Sequence, residues 1–332
     1  MWFNIGAKDS TITTVDTADV MASTRQTSQL TTQALRRAAG LAAVYVFLIF
    51  LLPANHAVMH AHHLSAVDYR TLLLALNLPT MVAWLAAFVG YAKLRQYVQL
   101  VRKTPEGLYF DKLATGLVWL AWSLPIPAII ALLLDSLANT WGSFYPAAVI
   151  IGNYTRLIFP LVAFSIIGVA SRDLVSLAKI KLDFVSSRII AVLFLGAGVL
   201  YCLLTFQHFN PASLTSTRNP YYLPIWLMVL TIIIPYLYTW FVGLLAAYEI
   251  TLFSRQTHGV LYRQALRMLV LGLVVIIASS IALQYVRGVQ PRVDHTTFDY
   301  HMVLSSIFHL IGGGGFVLLA IGAERLKKIE EV

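Results

Sequence analysis

Long apolar stretches separated by short polar segments run along the chain from residue 38 onwards. A helix needs about 20 mostly apolar residues to cross a membrane, because lipid offers no hydrogen-bond partners to the backbone. This criterion predicts eight spans, at 38–55, 71–92, 113–134, 146–170, 188–207, 223–248, 266–286 and 302–323. None shows the alternation of polar and apolar residues that is typical of outer-membrane barrel strands. The pattern predicts an all-α, polytopic integral membrane protein with eight transmembrane helices.

The composition excludes two other classes of protein. Of 332 residues, 58% are hydrophobic and only 12% are charged, whereas soluble domains carry about 25% charged residues. The chain is therefore neither a water-soluble enzyme nor an intrinsically disordered protein. Its single cysteine, Cys202, excludes an intramolecular disulfide bond and a thiolate metal cluster.

The basic residues predict the orientation in the membrane. If the N-terminus is cytoplasmic, nineteen of the 24 Lys and Arg residues fall on the cytoplasmic side and four on the other. The positive-inside rule then places both termini in the cytoplasm, with the plasma (inner) membrane of a bacterial-type cell as the expected location. The net charge of +9 favours contact with anionic membrane lipids. Nucleic acid is not an expected partner, because no soluble module carries a basic face interleaved with aromatic residues.

The second half of the chain resembles the first. A shift of 153 residues aligns three pairs of identical residues in or near the cytoplasmic segments: Thr104 with Thr257, Tyr109 with Tyr262, and Arg172 with Arg325. Leu-Pro pairs at 78–79 and 223–224 match at a slightly different shift. We expect a flexible cytosolic tail at 1–37, four-helix repeats at 38–185 and 186–324, and a cytosolic tail at 325–332. Because each repeat holds an even number of spans, the two are predicted to be parallel.

Two ionisable residues, Arg156 and His309, lie well inside predicted spans, and the shift of 153 relates them. Such residues are unfavourable in lipid and often mark functional sites. Pro160 follows the first and the glycines at 312–315 follow the second, so we expect both helices to be interrupted there. With Asn153 and Tyr154 as additional donors, the pattern predicts a polar binding site for a small anionic solute.

A packing explanation of the same residues stays open. Arg156 can extend its guanidinium to the outer interface of the membrane or pair with Asp135. A glycine run also permits close helix contact. His309 is equally consistent with a neutral core histidine that forms a hydrogen bond with Ser305, one turn away. Under this explanation the residues stabilise the bundle and bind no solute.

Histidines are concentrated on the predicted outer side, which holds seven of the nine. If the segment after the first span stays helical, His56, His60 and His63 share one face, a spacing suited to zinc or copper. His208 is related to His56 by a shift of 152, and such a pair is also suited to haem ligation. The alternatives are pH sensing by the same histidines and an ordinary polar loop.

Sequence motifs for enzymatic chemistry are missing. The chain contains no HExxH, no GxSxG and no phosphate-binding loop, so enzyme activity is not expected. The sequence favours transport or permeation of a small anionic solute between two repeats. A haem- or metal-binding redox protein and a non-catalytic membrane scaffold or sensor are the alternatives.

Overall fold

All regular secondary structure in the described part of the chain is helical. A computed structural model describes residues 17–53, 59, 63–140, 145–180, 233–257, 259–288 and 297–330. The helices are α1 (Thr17–Leu51), α2 (Ala66–Val101), α3 (Pro105–Trp122), α4 (Pro125–Thr140), α5 (Tyr145–Leu177), α6 (Ile234–Gln256), α7 (Val260–Gly288) and α8 (Thr297–Glu330).

Seven helical stretches in these residues are long and apolar enough to cross a membrane, with α3 and the first part of α4 counted as one. They overlap the predicted spans one to four and six to eight. The all-α class is confirmed, and the lengths fit a polytopic membrane protein. The predicted fifth span, 188–207, lies outside the described residues.

Local sequence signals set several helix ends. The Ser65 hydroxyl accepts a hydrogen bond from the backbone N–H of Asp68 at the start of α2. Thr104 caps Gly107 in the same way at the start of α3, where Pro105 is the first helical residue. At the end of α5, Lys179 has a φ of 52°, and the N–H of Ile180 donates to the carbonyl of Val175 at 3.1 Å. This is the Schellman arrangement that ends many helices.

The first and last helices of the chain are longer than the sequence predicted. The first helix begins at Thr17, so residues 17–37 of the expected flexible tail are helical. Ala34 and Ala38 are buried, and Gln96 on α2 donates a hydrogen bond of 2.8 Å to Thr31. These contacts hold the beginning of the apolar helix against α2. At the other end of the chain, α8 continues to Glu330, beyond the expected end of the second repeat at 324.

Prolines have different effects in different helices. The third predicted span breaks after Trp122 into α3 and α4, which begins at Pro125, because proline lacks the N–H that continues the helix. By contrast, α5 continues through Pro160 and α8 through residues 312–315. The predicted interruptions beside Arg156 and His309 are therefore wrong. A proline removes one backbone hydrogen bond, and packing against neighbouring helices keeps such a helix intact.

The glycines of α8 permit close contact with its neighbours. A methyl group at Gly313 would lie 3.0 Å from Cα of Ala83 on α2, and one at Gly315 would lie 2.7 Å from Cγ1 of Ile276 on α7. Gly314 has open space beside it. Packing of small residues thus explains part of this run, as the packing interpretation expected.

Six helices form a closed cycle of neighbours. Starting from α2, each helix packs against the next in the order α2, α3, α5, α6, α7, α8, and α8 packs against α2 again. The first helix lies outside this cycle against α2 and α4, and α4 packs mainly against α5. The cycle leaves a central axis along which side chains from all six helices can meet.

Ion pairs join the helices at one end of the bundle, which we call the charged end. They link α8, α2, α3, α5 and α6 in sequence: Lys93–Glu324 at 2.9 Å, Arg95–Asp111, Lys112–Asp173 at 2.7 Å and Arg172–Glu249 at 3.4 Å. Near the same end, the Tyr262 hydroxyl on α7 donates to Glu106 on α3 at 3.2 Å and lies 3.5 Å from the Tyr97 hydroxyl on α2. These tyrosine contacts cross the cycle, because α7 and α3 are not neighbours in it.

Candidate functional site

A cavity of about 390 Å³ occupies the opposite half of the bundle, which we call the cavity end. Its volume is typical of small-molecule sites. The fourth helix contributes, as do α1 and all six helices of the cycle, through the parts remote from the ion pairs: α2 from Tyr69 to Thr80, for example, and α5 from Arg156 to Phe164. The lining reaches Pro53 just beyond α1, and Pro53 is exposed.

Arg156 and His309 both line this cavity. The structure therefore brings together two residues that the sequence singled out although they are 153 positions apart. Arg156 is half-buried, and no carboxylate among the described side chains pairs with it. The side chain of Asp135 lies outside the described residues. The guanidinium offers five N–H donors in a planar fork that suits oxyanions.

The ring of His309 is oriented by its own helix. Its Nδ1 lies 2.6 Å from the carbonyl oxygen of Ser305. A carbonyl oxygen can only accept a hydrogen bond, so Nδ1 carries the hydrogen and donates it. In the neutral ring Nε2 is then the acceptor. Ser305 is the expected partner, but the bond goes to its backbone and not to its hydroxyl.

Hydroxyl groups make the cavity polar around these two residues. Six serines line it: Ser123, Ser136, Ser279, Ser280, Ser305 and Ser306. The Ser280 hydroxyl accepts a hydrogen bond from Nε1 of Trp240 at 3.3 Å, which leaves its own hydrogen to donate. Ser279 donates to the carbonyl of Ile276 at 2.8 Å. The cavity thus offers neutral donors and acceptors beside a cation.

The deepest part of the cavity is apolar. Four buried side chains from four helices form this apolar floor: Leu120, Phe164, Ile276 and Phe316. Phe164 follows Arg156 by eight residues on α5, a distance of about 12 Å along the axis at 1.5 Å per residue. Phe316 follows His309 by seven residues on α8. The floor therefore lies between the level of the two basic residues and the charged end.

Neither of the other two residues predicted for this site, Asn153 and Tyr154, is among the described lining residues of the cavity. Tyr154 is half-buried on α5 and is not among the lining residues. Asn153 belongs to α5, but its side chain lies outside the described residues. Direct contact with a ligand stays a prediction for Asn153 and for Tyr154, which is not in the lining of this cavity.

The histidine cluster can be assessed at His63 alone, because His56, His60 and His208 lie outside the described residues. His63 is exposed and has a φ of 53°, while the N–H of Leu64 donates to the carbonyl of Met59 at 3.0 Å. These are features of a helix end, and α1 has already ended at Leu51. His63 is therefore not on a continuation of α1. Within the described ranges no three His, Cys, Asp or Glu side chains are grouped as metal ligands; the metal or haem site stays a prediction.

Sequence reasoning missed two charged residues that the structure makes notable. Arg70 on α2 directs Nη2 to the carbonyl of Leu52 at 3.5 Å, and its buried Nε has no hydrogen-bond partner in the described structure. Leu52 lines the cavity, so Arg70 adds a second arginine near its mouth. The sequence counted Arg70 only as a loop charge.

Glu249 on α6 is the second charged residue that sequence reasoning missed. It is 1% exposed, accepts a hydrogen bond of 2.6 Å from the Ser171 hydroxyl and faces Nε of Arg172 at 3.4 Å. The sequence signal was an acidic residue directly after the predicted sixth span, 223–248.

Comparison with known proteins gives no relative. The chain matches no protein-family model, no curated protein and no solved structure. The site is therefore interpreted from its own geometry.

Proposed function

We propose that the protein transports, or allows permeation of, a small anionic solute that binds beside Arg156 and His309. The observation that carries the proposal is the presence of both side chains in the lining of one cavity, with no described carboxylate paired with the arginine. An arginine at membrane depth is unfavourable unless protein or water surrounds it. A polar cavity that admits an anion meets this requirement.

The two ends of the bundle fit a transporter in one of its two alternating states. The cavity reaches exposed Pro53 at one end. At the other end, the contacts among Tyr97, Tyr262 and Glu106 cross the centre of the cycle, and the ion pairs join neighbouring helices. A substrate entering from the cavity end would reach the other side only after these contacts separate, which is the requirement of alternating access.

We propose eight spans, and the course of the chain supports the fifth. The end of α5 lies at the charged end, where Arg172 meets Glu249. The beginning of α6 lies at the cavity end, where Tyr236 lines the cavity. The intervening chain must therefore pass from one end of the bundle to the other. The predicted span at 188–207 is the apolar stretch that satisfies this need.

Two parallel repeats are proposed on the basis of the helix neighbours. The contacts α2–α3, α3–α5 and α2–α8 have counterparts in α6–α7, α7–α8 and α6–α5. A shift of 156 relates α2 to α6 and matches buried Trp84 with buried Trp240. It also matches Pro79 with Pro235, which is a different alignment from the Leu-Pro pairs at 78–79 and 223–224. The cavity lies on the axis that would relate the two proposed repeats, since Thr80 and its counterpart Tyr236 both line it.

The proposed location is the plasma (inner) membrane, with the charged end and both termini in the cytoplasm. The distribution of basic residues supports this orientation. Membrane lipids are the proposed surroundings, because large apolar side chains on α1 are exposed: Phe47 and Leu51 are each 62% exposed. Side chains of this kind contact acyl chains when a helix crosses a membrane.

Flux in proteoliposomes tests the proposed function. Vesicles containing the purified protein are loaded with acetate, phosphate, sulfate or benzenesulfonate, and efflux is compared with that of protein-free vesicles. We expect protein-dependent efflux of at least one anion, lost in Arg156→Gln and kept in the control Arg255→Gln, whose arginine is exposed near the charged end. Efflux no faster than from empty vesicles for all four anions, or full efflux in Arg156→Gln, would contradict the proposal.

A further inference from the structure

We infer that the solute is an amphiphilic organic anion, with one anionic head group and a compact apolar body, bound with its head at Arg156 and its body extending from there towards the apolar floor. The inference rests on the proposed function and names the class of its substrate. Its basis is the division of one cavity into a cationic level and an apolar level.

The cationic level attracts the head group. Arg156 and His309 line the cavity at this level, and Arg70 lies near its mouth beside Leu52. Arg156 supplies the charge of this level. The neutral ring of His309 adds none, because its Nδ1–H is donated to the carbonyl of Ser305 and its Nε2 is an acceptor. A carboxylate, sulfonate or phosphate can accept two hydrogen bonds from a guanidinium in one plane. A neutral or cationic head would leave the charge of Arg156 uncompensated.

The apolar part of the cavity favours an anion that carries an apolar group. The four side chains of the apolar floor are buried, with exposures of 3% for Leu120, 1% for Phe164, 6% for Ile276 and 2% for Phe316. Leu124, four residues after Leu120, and Pro160, four residues after Arg156, also line the cavity and are only half-buried. An inorganic anion at Arg156 would leave their exposed apolar surface against water. An apolar group attached to the anion would displace that water and gain the free energy of apolar burial.

The dimensions limit the body to a small one. The cavity measures about 390 Å³, and below the floor the helices are packed: a methyl group at Gly90 would lie 2.9 Å from the backbone oxygen of Phe316. A single ring or a short branched chain fits this space, whereas a long acyl chain must leave it. A free organic anion is therefore favoured over the head group of a membrane lipid.

Isothermal titration calorimetry of the full-length protein in neutral detergent tests the inference with three probes. Benzenesulfonate has both parts, sulfate has only the charge, and benzenesulfonamide has the ring without the charge. We expect benzenesulfonate to bind at least about tenfold more tightly than either of the others, which corresponds to about 1.4 kcal/mol.

Variants separate the two levels of the cavity. Arg156→Gln should reduce benzenesulfonate affinity to that of benzenesulfonamide, and Arg255→Gln should leave it unchanged. Ile276→Asn should weaken benzenesulfonate about tenfold while leaving sulfate unaffected, because an amide replaces apolar surface. If that variant does not fold, Phe316→Leu, which conserves much of the volume, should weaken benzenesulfonate by a smaller factor in the same selective way.

The outcomes distinguish this inference from the proposed function. Equal affinity for sulfate and benzenesulfonate overturns the amphiphilic substrate and leaves anion binding in place. Equal affinity for benzenesulfonamide and benzenesulfonate overturns the cationic head site. Absence of binding by all three probes, together with absence of flux, overturns both.

A last comparison identifies the source of the anion. The same titration is performed in nanodiscs of phosphatidylcholine and in nanodiscs that also contain phosphatidylglycerol. Unchanged benzenesulfonate affinity supports a free solute. Loss of binding in the phosphatidylglycerol discs overturns the free solute and assigns the site to an anionic lipid head group.

Discussion

Lys93 on α2 and Glu324 on α8 form an ion pair of 2.9 Å whose counterpart under the proposed repeat is the 2.6 Å hydrogen bond between Glu249 and Ser171. The shift of 156 relates Lys93 to Glu249, and the shift of 153 relates Ser171 to Glu324. The carboxylate is on α8 in one contact and on α6 in the other. Under the proposed repeat, the two halves would keep a contact at the same place with different chemistry, and a simple comparison of residues would not reveal it.

Ser171 provides the first prediction. Ser171→Ala should lower the free energy of unfolding by about 1–3 kcal/mol, because it leaves a buried carboxylate oxygen without its donor. The same change made in a Glu249→Gln background should be milder, since an amide oxygen is easier to leave unpaired than a charge. Thermal unfolding followed by tryptophan fluorescence measures both effects.

Ser165→Ala is the matched control, because Ser165 donates only to Leu161 on its own helix, at 2.7 Å. Equal destabilisation by Ser165→Ala and Ser171→Ala would show that the Glu249 contact contributes nothing specific.

The glycines of α8 give a second prediction. Gly315→Ala should destabilise the protein, because the new methyl group would lie 2.8 Å from the backbone oxygen of Gly272 and 2.7 Å from Ile276. Gly314→Ala meets nothing within 4 Å and should be neutral or stabilising by about 0.5–1 kcal/mol, since alanine favours the helix. Thermal unfolding of the two variants tests this prediction, and the melting temperature of Gly315→Ala should be the lower one. Equal melting temperatures would contradict the observed packing.

A third prediction concerns the hydrogen on the His309 ring. In the neutral ring it should be on Nδ1, because the carbonyl of Ser305 accepts from that atom at 2.6 Å. Nitrogen-15 NMR of histidine-labelled protein measures the tautomer, and the signal of His309 is the one lost in His309→Gln. A hydrogen found on Nε2 would mean that the Ser305 contact is not formed.

The fourth prediction is the orientation in the membrane. In a Cys202→Ser background, a cysteine at exposed His63 should react with a membrane-impermeant maleimide in intact cells. Cysteines at exposed Lys103 and Ser176 should react only after the membrane is opened. Labelling of Lys103→Cys in intact cells, with His63→Cys protected until the membrane is opened, would exclude the proposed orientation.

Much of the fold could be predicted from the sequence, because lipid requires a minimum apolar length and the helices had to satisfy it. The break before Pro125 and the continuity through Pro160 could not be told apart, since neighbouring helices decide whether a proline interrupts its own. The early start of α1 was missed because the contact between Thr31 and Gln96 leaves no periodic signal.

The candidate site was predictable only in its charged part. Arg156 and His309 were found because an ionisable residue inside an apolar span is rare and because a shift of 153 residues relates the two positions. The apolar floor was not found, because a leucine or phenylalanine that faces a cavity is indistinguishable in sequence from one that faces lipid. Arg70 was missed for a related reason: the sequence does not show that its Nε is buried.

We expect Arg156 to attract anions into the cavity, which is accessible from one end of the bundle. Ser305 lines that cavity, so its replacement by cysteine in the Cys202→Ser background reports on it directly. The measurement is the rate of modification in intact cells by two methanethiosulfonates of similar size, the anionic sulfonatoethyl and the cationic trimethylammonium-ethyl reagent. We expect faster reaction with the anionic reagent and loss of this preference in Arg156→Gln. No modification at all, or a preference for the cationic reagent, would contradict it.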